Sequence, residues 1–320
     1  MNSTNTGLLA DGPHWRAPYA FTRSNTWPLP DDPVMRIGVP HGQGRLAAGA
    51  NDGDRPLMVS AAAFWDGNRG YFRDAFGPLS DGDIALDSAG FTAVANWQAK
   101  GTQAGMAGVY PWTAQQYVDL AESLNPRFWS QPDLCCEPAV AADPAERRRR
   151  IDVTASLLGD ALDAVVARWS AGPSTLRPCV PVLQGYTVDE YRRSLDLMQE
   201  QWARYSLFFD PPILVGVGSV CRRDLHHPEH GLYAIVEGLA PHLPPQMRLH
   251  MFGVKGAATR RLFEMPEVAS ADSMAWDVAA RRKAHKERRS NSIARRLEEL
   301  QAWESRHEAS TETKQQRLAL

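Results

Sequence analysis

Ile84-Ala85-Leu86-Asp87-Ser88-Ala89-Gly90-Phe91 is a short apolar run that ends on a carboxylate and turns at once through small residues. Val268-Ala269-Ser270-Ala271-Asp272-Ser273-Met274, far downstream, has the same form. A strand that closes on an aspartate and feeds a turn of small residues presents its acid at the carboxyl edge of a sheet, where α/β folds keep their ligands. The two segments predict an α/β fold with Asp87 and Asp272 at its catalytic edge.

Further strand-like runs surround them, at residues 34–39, 56–60, 128–135, 179–184, 213–218 and 249–254, so eight strands are expected with 84–87 and 268–272. Helical patterns separate them. Thr113-Ala114-Gln115-Gln116 is a capping box opening a helix to about residue 124, and Thr187-Val188-Asp189-Glu190 is another, opening a helix to about residue 205. Between these, Ile151, Leu158, Leu162, Val165 and Trp169 recur at helical spacing after Pro144. Strand and helix in alternation imply a mainly parallel sheet, and eight strands favour closure into a (β/α)8 TIM barrel over a doubly wound open sheet.

Residues 1–54, rich in Pro, Gly, Asn and Asp, are expected to form an irregular N-terminal cover that includes the 34–39 strand. Residues 55–280 are expected to form the barrel, and 281–320 a basic helical tail. That tail holds eleven Lys/Arg against six Asp/Glu, a net +5, whereas the whole chain is −2. A nucleic-acid partner would therefore be gripped by local basic patches: Arg222 and Arg223 after one strand, and Arg281, Arg282 and Lys283 in the tail. Ile293, Leu297, Leu300 and Trp303 also give the tail an apolar stripe, which suits docking.

The 320 residues are 43% hydrophobic, enough for a core. There is no apolar run of about 18 residues and no secretory leader pattern at the start, so a cytoplasmic protein without membrane contact is expected. Four cysteines in a chain of this size are expected to be free thiols. Cys221 with His226, His227 and His230 has ligand-like spacing, but Pro228 and Glu229 fit an exposed loop, so no metal is expected.

In a barrel the polar residues at the strand ends meet at one mouth. Asp133 and Gln184 offer an acceptor and a donor–acceptor pair suited to the amidine and lactam edge of guanine. Phe91 and Phe252 offer faces for a flat heterocycle, and Gly185, Gly216, Gly218 and Gly253, with Ser88 and Val217 beside them, allow close backbone approach. Asp87 and Asp272 can then divide the work, one as nucleophile at a sugar anomeric carbon and one as proton shuttle.

Asp87-Ser88-Ala89-Gly90-Phe91 resembles the Asp-Ser-Gly-Gly-Phe signature of the tRNA-guanine transglycosylase superfamily, whose members are (β/α)8 barrels. Leu183-Gln184-Gly185, Val215-Gly216-Val217-Gly218-Ser219, Phe252-Gly253-Val254 and Ala271-Asp272-Ser273 follow in that family's order. The closer likeness is to the branch linked to 7-deazaguanine modification of DNA. It rests on Tyr110-Pro111-Trp112-Thr113, Cys135-Cys136-Glu137-Pro138, Gly218-Ser219-Val220-Cys221-Arg222-Arg223 and Asp272-Ser273-Met274-Ala275-Trp276-Asp277.

The resemblance implies Asp272 as covalent nucleophile, with Asp277 as the alternative, and Asp87 as the proton-transferring acid. It implies Asp133, Gln184 and the backbone of 216–218 as base readers and Phe91 with Phe252 as the stacking pair. Guanine would leave as Asp272 attacks the sugar, and a 7-deazaguanine such as the 7-cyano form would displace Asp272. That second step regenerates the enzyme, so no cofactor is needed. The tRNA enzymes carry a zinc site of three close cysteines and a later histidine, whereas here no cysteine follows Cys221. DNA is thus the expected polymer, with tRNA the alternative. Helper proteins that open the duplex, or a non-catalytic role as the base-binding subunit of a modification complex, are compatible with the same residues.

Overall fold

The computed structural model describes residues 27, 29–40, 42, 44–52, 55–73, 77–79 and 81–318, with side chains to residue 306. Its elements run β1 (Val34–Val39), α1 (Gly44–Ala50), β2 (Leu57–Ser60), β3 (Trp65–Asp66), β4 (Tyr71–Phe72), β5 (Ile84–Asp87), α2 (Gly90–Lys100), α3 (Ala114–Leu124), β6 (Phe128–Trp129) and α4 (Pro144–Ala171). They continue with β7 (Val182–Leu183), α5 (Val188–Ala203), β8 (Leu214–Val217), α6 (Leu232–Leu239), β9 (Arg248–Met251), α7 (Gly256–Leu262), β10 (Val268–Ser273), α8 (Ala275–Lys286) and α9 (Ile293–Leu318).

Eight strands pair in parallel in the order β6-β5-β2-β1-β10-β9-β8-β7. A parallel bridge between Ser130 and Val180 joins the two ends, with Val180 N donating to Trp129 O at 2.7 Å and Gln131 N to Val180 O at 2.9 Å. Around this ring the strands follow chain order without a reversal, so the sheet is a (β/α)8 barrel and has no switch point of the doubly wound kind. All eight expected strands are present. The 34–39 strand, expected inside an irregular cover, lies between β2 and β10 as a full barrel stave, and residue 280 falls inside α8.

Side chains alternate along the staves as the pleat requires. Met58, Ala85, Phe128, Val180, Leu214 and Ala269 form the inner cluster, with Phe252 against it, while Leu57, Val59, Leu86, Val215, Val217 and Leu249 face the surrounding helices. Ala269 and Asp272 are three apart, an odd step that would put them on opposite faces of a regular strand. The register shift between Val268 and Ser270 supplies the half-step and turns Asp272 inward. At the amino end, Trp27 and Leu29 pack on the inner cluster, and Trp27 Nε1 donates to Pro178 O at 3.2 Å. A small cavity beside them, lined by Arg36, Asp83, Phe128 and Ser270 among others, lies at the barrel end opposite the carboxylates.

The caps form as their residues predict. Thr113 and Thr187 both make complete capping boxes, with Gln116 and Glu190, and Asp143 caps α4 ahead of Pro144. After β2 the chain forms the antiparallel β3–β4 hairpin, packed through Trp65 and Phe72 against Trp112. The tail helix α9 docks by its stripe, Leu300 and Trp303 being buried, with Leu297 against Gly49 and Arg55 paired to Glu304 at 2.7 Å. No described helix is long and apolar enough to cross a membrane.

Candidate active site

Asp87 is the last residue of β5. Its Oδ2 accepts from Ala89 N at 3.0 Å, and Ser60, its partner across β2, also hydrogen-bonds the carboxyl. Burial, then the charges of Asp133 and Asp272, push Asp87 up to about 7. The turn behind it is tight: Ala89 holds a left-handed φ of 70° while 3% exposed, at the position where the signature it resembles has glycine. The next residue must be glycine, because a Cβ on Gly90 would lie 2.6 Å from Asp133 Oδ1 and 2.8 Å from its carbonyl oxygen.

Asp133 lies beyond β6, on a segment expected to be strand through residue 135. The strand stops at Trp129 because Pro132 and a set of side chains take the chain elsewhere. Tyr110 Oη accepts from Asp133 N at 2.9 Å and donates to Asp133 O at 2.8 Å, and Thr154 Oγ1 accepts from Leu134 N at 3.0 Å. Arg150, 1% exposed, donates to Cys135 O at 2.7 Å and Val140 O at 2.8 Å. Asp133 Oδ1 accepts from Ser88 Oγ at 2.6 Å, and Oδ2 accepts from Gln184 Nε2. Burial raises Asp133 to about 6 although both hydrogen bonds pull the other way.

The network continues across the next two staves. Gln184 follows β7, and its Oε1 accepts from Ser219 Oγ, which in turn accepts from Cys136 N at 2.6 Å. Ser88, Asp133, Gln184 and Ser219 thus form one buried chain of hydrogen bonds along the mouth. Glycines let it close: a Cβ on Gly218 would fall 2.1 Å from Gln184 Nε2, and one on Gly216 would fall 2.3 Å from the Phe252 ring. Val217, expected with these glycines, turns its side chain outward into the helix layer, so only its backbone faces the mouth, its carbonyl accepting from Phe252 N at 3.1 Å.

Asp272 is 8% exposed, and its Oδ1 accepts from Gly253 N at 2.8 Å. His250 Nε2 lies 3.5 Å from the same oxygen, while its Nδ1 is 2.7 Å from Ser270 Oγ. The imidazole is fully buried, edge-on to Phe128 and Phe252 at 5.2 and 4.6 Å, and burial lowers its pKa. His250 was not among the residues singled out from sequence. The available signal was one polar residue at an inward position in the run Leu249-His250-Met251-Phe252. Phe252 is half-buried beside it, and Phe91, at the start of α2, is 53% exposed.

Asp277 does not join this group. It is fully buried on α8, outside the barrel wall, and pairs with Arg281 at 2.8 Å and Arg296 at 2.6 Å, tying α8 to α9. Arg281 is therefore engaged, Lys283 pairs with Glu299, and Arg282 is exposed. Arg223, expected to face phosphate, is 7% exposed and acts as a clamp. It donates to Ser219 O, Gly185 O, Tyr186 O and His230 O and lies over the Tyr186 and Tyr191 rings, whereas Arg222 is exposed. The cysteine–histidine set does not converge: His227 stacks on His230 at 3.4 Å, His226 meets the edge of Tyr233, and Cys221 is exposed. Among the described residues no three His, Cys, Asp or Glu side chains are grouped to hold a metal.

The carboxyl mouth of the (β/α)8 barrel thus gathers three acids, a glutamine and close-packed glycines. The family model described as DpdA, DeoxyPurine in DNA protein A, matches residues 63–312, and the chain belongs to that family. No curated protein matches it.

Proposed function

We propose that this protein is a base-exchange transglycosylase that replaces guanine in DNA with a 7-deazaguanine, such as the 7-cyano form, through a covalent aspartyl-sugar intermediate. The convergence of Asp87, Asp133 and Asp272 on one mouth, in a chain of the DpdA family, carries this reading.

Each residue then has a task. Asp133 and Gln184, already polarised by Ser88 and Ser219, meet the hydrogen-bonding edge of the base, with the backbone of 216–218 beside them. Phe252 floors the slot and Phe91 closes over the base from its exposed position. A carboxylate oxygen of Asp272 forms a bond to C1′ as the bond from C1′ to N9 of guanine breaks, and its electrons leave with the base. Asp87, half protonated near neutral pH, gives guanine its proton. In the second step N9 of the incoming base attacks C1′, the C1′–O bond returns its electrons to Asp272, and Asp87 recovers the proton.

A guanine inside a duplex cannot reach this mouth, so the target nucleotide is flipped out or presented on a single strand, with helper proteins as the means of opening. Arg222 and Arg282, both exposed, remain as candidate contacts to phosphate. The test is to incubate the protein with guanine-containing DNA, and in parallel with tRNA, together with radiolabelled guanine or 7-cyano-7-deazaguanine. Label entering DNA is expected. Label entering tRNA but not DNA would change the polymer, and no label entering either would remove the activity.

A further inference from the structure

We propose that His250 is a positioning residue that, together with the Gly253 N–H, fixes Oδ1 of Asp272 and so leaves Oδ2 as the oxygen that attacks the sugar. This rests on the reading of Asp272 as nucleophile.

A carboxylate has two equivalent oxygens, and a nucleophile that can present either one must be oriented before it reacts. Here the two donors in reach converge on one oxygen, Gly253 N at 2.8 Å and His250 Nε2 at 3.5 Å. Among the described residues Nε2 has no hydrogen-bond partner, although the ring is fully buried, and the acceptor it faces is Oδ1 of Asp272. Facing a carboxylate, Nε2 must carry the proton, and Nδ1 then accepts from the Ser270 hydroxyl at 2.7 Å, a contact that permits this tautomer because the hydroxyl can donate. The Phe128 and Phe252 rings flank the imidazole in T-shaped contacts. A gap of 3.5 Å is wider than a formed hydrogen bond, and such contacts tighten when the substrate is in place.

The arrangement serves both steps. When Oδ2 bonds to C1′, Oδ1 becomes the carbonyl oxygen of the ester and continues to accept from Gly253 and His250. In the second step the same donors favour return of the electron pair to the carboxylate as the C1′–O bond breaks. The bulge in β10 makes this possible, since it brings Ser270 and Asp272 inward on the same side as His250.

The test measures single-turnover formation of the protein–DNA adduct, with its rate constant separated from its amplitude, in the parent, His250→Leu, His250→Gln and Ser270→Ala. A purely structural defect lowers the amplitude, because fewer molecules are competent, whereas lost positioning lowers the rate constant. His250→Leu is expected to slow adduct formation by about 10- to 100-fold with the KM for DNA little changed, the size of one lost hydrogen bond to a charged group. His250→Gln, which returns a donor near the Nε2 position, is expected to recover much of that loss, and Ser270→Ala to show a smaller one. If His250→Leu does not fold, the Gln and Ser270 variants decide the matter. Rate constants unchanged in the variants, with an adduct in the parent, overturn this inference alone; no adduct in the parent overturns the nucleophile assignment with it.

Discussion

Ser88 Oγ donates to Asp133 Oδ1 at 2.6 Å, so the residue directly after Asp87 orients the carboxyl beyond the neighbouring stave. Under the proposed function, acid–base chemistry and base reading share one turn. Replacing Asp133 by Asn sets an amide nitrogen against either Ser88 or Gln184 Nε2, and in the second case Gln184 must flip, which removes the carbonyl that accepts from Ser219. Asp133→Asn is expected to lower guanine exchange by about 100-fold or more, and Ser88→Ala by about 10-fold, mainly through a raised KM for the free base. Exchange assays over a range of base concentrations measure both.

The mouth also predicts a pH response. Asp87 and Asp133 are raised to about 7 and about 6 from 3.8, so both bind protons more tightly folded than unfolded. The stability they contribute is complete below about pH 4 and is lost as pH rises through 6 and 7. Urea unfolding at pH 5 and pH 8 should show Asp87→Asn gaining on the parent as pH rises. Adduct formation by the parent should decline above about pH 7, where Asp87 can no longer supply a proton. A parent rate that is flat from pH 6 to 9 contradicts the assignment of Asp87 as acid.

Close packing makes two glycines sensitive. A methyl at Gly90 or Gly218 would come within 2.6 Å of Asp133 Oδ1 or 2.1 Å of Gln184 Nε2. Both groups are held by partners on neighbouring staves, so they shift only by breaking the network. Gly90→Ala and Gly218→Ala are each expected to reduce exchange by more than about 10-fold at a stability cost of about 1–3 kcal/mol. Thermal melts and exchange rates on the same preparations separate the two effects.

Adjacent arginines should behave oppositely. Arg223 is buried and donates to four carbonyl oxygens, so Arg223→Met, which leaves those acceptors unsatisfied, is expected to cost about 3 kcal/mol. Arg222→Ala is expected to leave stability within about 0.5 kcal/mol and to weaken DNA binding with a shallower salt dependence. Urea unfolding and binding titrations at several salt concentrations test the pair.

Much of this architecture was legible because barrel staves are apolar runs whose carboxyl ends break on a polar residue, as at Leu86-Asp87 and Leu183-Gln184. Capping boxes at Thr113 and Thr187 are local chemistry and could be read directly. What escaped was decided by tertiary partners. Nothing near Arg223 announces that four carbonyl groups surround it, and Arg147 and Arg150, within a run of four arginines that reads as a solvated face, are buried against the segment that carries Asp133. The β3–β4 hairpin has two-residue strands, too short for a periodic signal. His250 looks like an ordinary strand residue until the β10 bulge brings Asp272 to it.

A covalent bond between Asp272 and the sugar is the central requirement of the proposed mechanism. Protein mixed with a guanine-containing DNA oligonucleotide, denatured and analysed by intact mass, should carry the oligonucleotide less its guanine, with the adduct mapped to the peptide containing Asp272 and absent in Asp272→Asn. Guanine exchange in Asp272→Asn at the parent's rate, or an adduct on any other residue, would contradict it.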